Sequence, residues 1–192
     1  MEEEKIIEEL KKGHLVIMPT DTIYGIIGDA TDEKVIKKVY DIKERSYEKP
    51  LLILVSNEKM LKELVTEIPD RIQQLMNDYW PGPLTILFKK TDKVSPLLTA
   101  NSEYIAIRIP NDERLIHIMN TLNKPLISTS ANISSHEVIT NTNQIEPRMR
   151  EKIDYIVDGG TINKASSTLI KVENDKIQIL RAGELAKSLL RE

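Results

Sequence analysis

The chain has 192 residues, 40% apolar and 30% charged, so it can bury a sizeable core and is too apolar for a disordered polymer. A net charge of −3 with a pI near 5.8 argues against nucleic-acid binding through phosphates as the main activity, although a local cationic pocket stays open. Cysteine is absent and the three histidines (His14, His117 and His136) lack ligand spacing, which excludes disulfides, thiolate catalysis and cysteine-based zinc, and no metal held by the protein is expected.

Taken in chain order, residues 3–12 read as an amphipathic helix with Ile6, Ile7 and Leu10 on one face and Gly13 as its stop. This acidic N-terminus is neither a signal nor a transit peptide. LVIMPT (15–20) reads as a buried strand. Thr31 or Asp32 caps a helix whose inner face is Val35, Ile36, Val39 and Tyr40. LLILVS (51–56) is a second apolar strand, and Ser56 or Asn57 caps the helix after it. Pro69 suits the first turn of a helix carrying Ile72, Leu75, Met76 and Tyr79. WPGP (80–83) breaks that helix as a rigid turn before the strand LTILFK. YIAIRIP (104–110) alternates like a strand and precedes a helix over 112–122, with Leu115, Ile116, Met119 and Leu122 inside. PLISTSA (125–131) and DYIVDGG (154–160) read as strands. STLIKV-ENDK-IQILR reads as a hairpin turning near Asn174-Asp175, and a last helix covers roughly 184–191. Helices alternating with strands, then a hairpin, predict an α/β layered fold around a mixed sheet. No composition shift, repeat or long linker marks a boundary, so residues 1–192 are expected to form one domain. No apolar run nears the roughly 20 residues a membrane helix needs, and the cytoplasm is the expected compartment.

Several of these strands end in polar clusters: Thr20-Asp21-Thr22-Ile23-Tyr24-Gly25, Ser128-Thr129-Ser130-Ala131-Asn132, Ser166-Ser167-Thr168 and Arg181-Ala182-Gly183. Ligands of open α/β sheets tend to bind where strand ends gather, and hydroxyls, an amide and cations suit a phosphate or a carboxylate. The same Ser, Thr and Asn residues are also ordinary turn formers and caps. By alternation Arg108 opposes Ile105, Ile107 and Ile109, which leaves it either solvated or turned into a pocket. The charged stretch KERSYEK (43–49) fits solvated surface, a nucleic-acid patch or a small-anion site. Neither a GxxxxGK[ST] nor a GxGxxG element occurs, and no nucleophile–base set is evident. Chemistry here would rest on positioning and charge stabilisation.

The order of the motifs PTDTIYG, KERSYEKPLLILV, WPGPLTILF, IAIRIPN, STSANIS, SSTLI and LRAGE resembles the YrdC/TsaC family of threonylcarbamoyl-AMP synthases over about residues 6–184. The resemblance implies a single YrdC-like domain whose open twisted mixed sheet, flanked by helices, encloses a large, positively lined cavity. It also implies a reaction of L-threonine, bicarbonate and ATP to threonylcarbamoyl-AMP and pyrophosphate, with Mg2+ accompanying the ATP. A downstream tRNA threonylcarbamoyl-transferase machinery would use the product to make threonylcarbamoyladenosine next to the anticodon, with at most weak direct tRNA binding by this chain and no membrane.

Carried over by position, the resemblance assigns Lys43 and Arg45 to catalysis, and Lys43, Arg45, Lys49, Ser128, Ser130, Asn132 and Arg181 to the nucleotide. It assigns Thr20, Thr22, Tyr24, Arg108, Ser167 and Thr168 to threonine, with Arg108 on the carboxylate. Two positions depart from the family pattern. Ser46 stands where proline often follows Lys-x-Arg, which would free that loop. Ser135 stands where glycine is common, which would strain the backbone if φ is positive. The chain ends at Glu192, so the second domain of some longer relatives is expected to be absent. Hydrogenase-maturation relatives carry cysteine-rich zinc modules, which a chain without cysteine cannot build. The alternative is a YrdC-like nucleotide- or RNA-binding paralogue without synthase activity, against which the retained Thr22, Arg108 and Ser-Ser-Thr element stand.

Overall fold

The computed structural model describes residues 1–190. Helices form at Glu2–Lys11 (α1), Glu33–Lys43 (α2), Glu58–Leu64 (α3), Asp70–Tyr79 (α4), Glu113–Leu122 (α5), Pro147–Arg150 (α6) and Ala186–Leu189 (α7). Strands run at Val16–Pro19 (β1), Tyr24–Asp29 (β2), Ile53–Leu54 (β3), Leu84–Lys89 (β4), Tyr104–Arg108 (β5), Leu126–Ser130 (β6), Tyr155–Ile156 (β7), Thr168–Glu173 (β8) and Lys176–Arg181 (β9). Caps follow side-chain chemistry. Asp32, Asn57 and Asp112 each accept a backbone N–H from the first turn of α2, α3 and α5, satisfying donors that the helix itself leaves orphaned. Asn123, in the left-handed region, closes α5.

Most expected elements are present with shifted ends. The strand expected at 51–56 shrinks to Ile53–Leu54 and that at 154–160 to Tyr155–Ile156, because only those residues find ladder partners. The last helix is also shorter than expected, and residue 191 lies outside the described residues. Strand β2 was not anticipated, since its two glycines dilute the strand signal. Gly28 suits the close approach of helix α2 and of Leu15, just before strand β1: a Cβ would lie 2.6 Å from Leu15 and 2.7 Å from Val35. The turn of the final hairpin falls at Asn174 and Asp175, both with positive φ, as a two-residue turn of that hand requires.

Among the described residues the strands join into one mixed sheet in the order β7-β1-β2-β6-β3-β5-β4-β8-β9, with β1/β7, β3/β5 and β4/β8 parallel and the other neighbours antiparallel. Alternation then sorts side chains onto two faces. On one face Ile17, Tyr24, Ile26, Ile53, Ile105, Ile107, Ile127 and Ile170 join the core under α2, α3 and α4. On the other, Val16, Met18, Ile27, Leu54 and Leu126 pack beneath α1 and α5. Those two helices cover only part of their face. Among the described residues no helix covers the remainder, over the ends of β2 and β6 and across β5, β4, β8 and β9.

Candidate active site

A cavity of about 520 Å³ occupies that uncovered stretch. Its floor comes from residues that alternate with core isoleucines: Gly25 on β2, Leu87 on β4, Tyr104, Ala106 and Arg108 on β5, Ser128 and Ser130 on β6, and Leu169 on β8. Gly25 keeps the floor low, since a Cβ there would stand 3.3 Å from Ser128 Oγ and 3.4 Å from Thr20 Cγ2. The rim adds Thr20, Thr22, Arg45, Lys49, Ser166, Ser167 and Arg181, with Val138 and Leu180 as exposed apolar lips. The lining contains Arg45, Lys49, Arg108 and Arg181 and no carboxylate. A lining this rich in cations and without a carboxylate of its own suits an anion.

Arg45 donates from Nε to Lys49 O at 3.2 Å and from NH2 to Pro50 O at 2.8 Å. Arg181 lies on Ser167, with NH2 donating to its carbonyl at 3.1 Å and to its hydroxyl at 2.9 Å, and Ser167 Oγ is 2.7 Å from Thr85 Oγ1. Burial, then the charges of Arg108 and Arg45, lower the affinity of the Arg181 guanidinium for its proton. Burial likewise lowers that of Arg45. Bringing an anion between them would relieve both effects. Thr20 closes the β1–β2 connection: its hydroxyl donates to Ile23 O at 2.6 Å and accepts the N–H groups of Thr22 and Ile23.

Four residues that the sequence assigned to ligand lie outside the lining. Tyr24 points to the opposite face from Gly25, where its hydroxyl donates to Gly160 O and accepts from Gly159 N at 2.7 and 2.9 Å. Thr168 shares the face of Ile170, and its hydroxyl accepts the Leu185 N–H. Asn132 is buried, its amide group donating to His136 O and its Oδ1 accepting from Ser130 Oγ. Lys43 approaches from the last turn of α2, on the core side of the sheet, and is 1% exposed. Its Nζ donates to Ser130 O at 2.5 Å, Asn132 O at 2.8 Å and Asn132 Oδ1 at 3.1 Å. Burial, with Arg45 adding repulsion, brings the Lys43 ammonium down to about 7. Lys43 and Asn132 thus bond the Ser130 segment of the wall, whereas Tyr24 and Thr168 tie the sheet to Gly159, Gly160 and Leu185. A period of two decides the side for Tyr24 and Thr168, and the sequence clusters blurred it.

The loop Lys43–Pro50 is tied down rather than freed by Ser46. Ser46 Oγ accepts the Glu48 N–H, Lys49 N donates to Ser46 O, and the Tyr40 hydroxyl donates to Lys49 O. Glu44, which ends α2 at positive φ, faces solvent and pairs with Arg148 at 2.9 Å. Ser135 does take positive φ, at 72°. Sequence reading missed Ser102, Tyr104, Val138 and Leu180. A lone apolar or hydroxyl residue carries no motif, although Tyr104 and Arg108 share one parity on β5.

The mixed α/β sheet with a cationic, carboxylate-free cavity lining places the chain in the α/β class. The Sua5/YciO/YrdC family model, described as "Telomere recombination", matches residues 8–183, and the chain belongs to that family. A putative threonylcarbamoyl-AMP synthase of Methanocaldococcus jannaschii is 40% identical over 187 residues, covering 95% of this chain and 87% of that protein. The threonylcarbamoyl-AMP synthase of Pyrococcus abyssi is 32% identical over 92% of this chain, which spans about half of that protein's length (52%). The structure of P. abyssi Sua5 complexed with L-threonine superposes with a TM-score of 0.88 at 30% identity, over 94% of this chain and 54% of that one. Escherichia coli YciO shares the fold at a TM-score of 0.84 and 21% identity.

Proposed function

We propose that this chain is an L-threonylcarbamoyl-AMP synthase, a nucleotidyltransferase that consumes L-threonine, bicarbonate and ATP. The observation that carries the reading is the cavity wall of four cations and several hydroxyls without a carboxylate. The P. abyssi relative crystallised with L-threonine adds to it. In the proposed reaction the threonine amine and bicarbonate condense to a carbamate with loss of water. A carbamate oxygen then attacks the α-phosphorus of ATP, and pyrophosphate leaves. The substrates supply nucleophile and leaving group, so the protein's task is to hold mutually repelling anions together.

Arg45, Lys49 and Arg181 are the residues we assign to the phosphates, with Ser128 and Ser130 beside them. Arg108 is assigned to the threonine carboxylate, with Thr20, Thr22 and Ser167 around the amino acid. Lys43 and Asn132 act through the Ser130 segment, which they brace, and Tyr24 and Thr168 act as supports. Magnesium enters with ATP as part of the substrate. The cavity lining offers it no carboxylate, and among the described residues no cluster of three metal-ligating side chains exists, so phosphate oxygens and water would hold the ion. The product would pass to a tRNA threonylcarbamoyl-transferase machinery, with at most weak tRNA binding here, consistent with the acidic pI. No helix among the described residues is long and apolar enough to cross a membrane.

The test is pyrophosphate release from ATP with threonine and bicarbonate each supplied or withheld. Release that needs both supports the synthase. Release indifferent to both, or ATP binding without release, would replace it with a nucleotide-binding module.

A further inference from the structure

The cavity arginines are not equivalent. Arg45 and Arg181 rest on carbonyl and hydroxyl oxygens, so their charges stay uncompensated. Arg108 instead has a carboxylate counter-ion. Its NH1 donates to both oxygens of Asp21, at 2.9 and 2.7 Å, and to Gly82 O at 3.3 Å. The two side chains are only 3% and 8% exposed. Asp21 is held in turn: one of its oxygens accepts the Asn111 N–H at 2.9 Å, and Lys164 Nζ donates to its main-chain carbonyl at 3.1 Å. The carboxylate therefore engages a single nitrogen of the guanidinium. Arg108 Nε, buried, is without a partner, while the residue lines the cavity and its charge reaches Arg181.

We propose that Asp21 is a positioning residue that sets Arg108 apart from its neighbours and reserves it for the amino-acid carboxylate. Its two oxygens hold NH1 in place, and its charge offsets that of Arg108 without occupying Nε. The paired arginine then suits a monoanionic carboxylate, whereas the uncompensated Arg45 and Arg181 attract the polyphosphate more strongly. Without this partner the cavity would offer phosphate groups three competing guanidinium sites. The inference rests on the synthase reading of the site, and the electrostatic part can be measured apart from it.

Asp21→Asn and Asp21→Glu would be compared with the wild-type chain by steady-state pyrophosphate release and by calorimetric titration with pyrophosphate. Asp21→Asn is expected to raise the threonine KM about tenfold and leave the ATP KM within about threefold. It is also expected to tighten pyrophosphate binding by about threefold or more, because Arg108 gains an uncompensated charge. Asp21→Glu keeps the charge and is expected to retain wild-type pyrophosphate affinity, with a smaller rise in threonine KM. A purely structural role would weaken threonine, ATP and pyrophosphate alike, and that pattern overturns the proposal. So does an Asn variant within about twofold of wild type in threonine KM and pyrophosphate affinity. Should Asp21→Asn fail to fold, Asp21→Glu decides: a raised threonine KM with unchanged pyrophosphate affinity supports the proposal, and parallel losses refute it. A wild-type chain that releases no pyrophosphate would remove the synthase reading. The titration would still decide whether Asp21 sets the cavity charge, tightening supporting it and equal affinities refuting it.

Discussion

Replacing Lys43 with methionine keeps the unbranched stem up to the ε position and removes a buried ammonium whose proton affinity burial has lowered to about 7. Two effects oppose one another. The carbonyls of Ser130 and Asn132 and the Asn132 Oδ1 lose their donor, and buried acceptors left bare cost about 1–3 kcal/mol each. Against this, the variant no longer desolvates a charge. The sign with pH follows from the direction of the shift. A lysine depressed in the fold carries fewer protons there than in the unfolded chain, so wild-type stability rises with pH between the folded value near 7 and the ordinary value of 10.5, and is lost as pH falls through 7. At pH 9, two units into that window, wild type should have gained roughly 3 kcal/mol that Lys43→Met cannot gain. The stability of wild type minus that of the variant should thus rise from pH 6.5 to pH 9, whatever its sign at the start, read by urea denaturation at about four pH values. A gap constant across that range would refute this, and would mean that the three oxygen acceptors hold Lys43 charged. Because the lost donor frees the Ser130–Asn132 segment, the variant should also bind ATP more weakly at every pH.

Arg181→Gln should weaken ATP binding about tenfold and reduce its dependence on salt, since it removes an uncompensated cavity charge; isothermal titration at two ionic strengths checks both. Tyr24→Phe removes the hydroxyl that joins Gly159 and Gly160 to β2, and should cost about 1–3 kcal/mol in denaturant unfolding. Gly28→Ala would drive a methyl into Leu15 and Val35 and should destabilise by about 1–3 kcal/mol, lowering the thermal midpoint. Ser135→Gly should stabilise by about 0.5–1 kcal/mol, since glycine accepts the positive φ of 72° freely; an unchanged midpoint would contradict the strain.

Legibility differed between kinds of feature. The caps of α2 and α3 were legible to within a residue, as Thr31 or Asp32 and Ser56 or Asn57, because an oxygen two or three residues before free N–H groups is a local signal; the structure selects Asp32 and Asn57 and adds Asp112 for α5. The Asn174–Asp175 turn was local too. Strand β2 was obscured because Gly25 and Gly28, needed for a low cavity floor and a close helix, look in sequence like turn residues. The candidate site was visible as a set of motifs. The allotment of each residue to lining or support was not, and nothing local to Asp21 in PTDTIYG points to Arg108 as its partner.

The amino-acid sequence by itself determined the alternation of helices and strands, the family, and the collection of cations and hydroxyls from which the cavity is built. Those properties depend on periodicity, capping and order along the chain, all short-range or one-dimensional. Only tertiary structure decided that α1 and α5 leave part of one sheet face bare, that Lys43 braces the wall from the core side, and that Arg108 meets Asp21 and not solvent. Residues 87 positions apart in the chain make that last contact. It exists because β5 and the β1–β2 turn end at the same edge of the cavity, a meeting that no local pattern encodes.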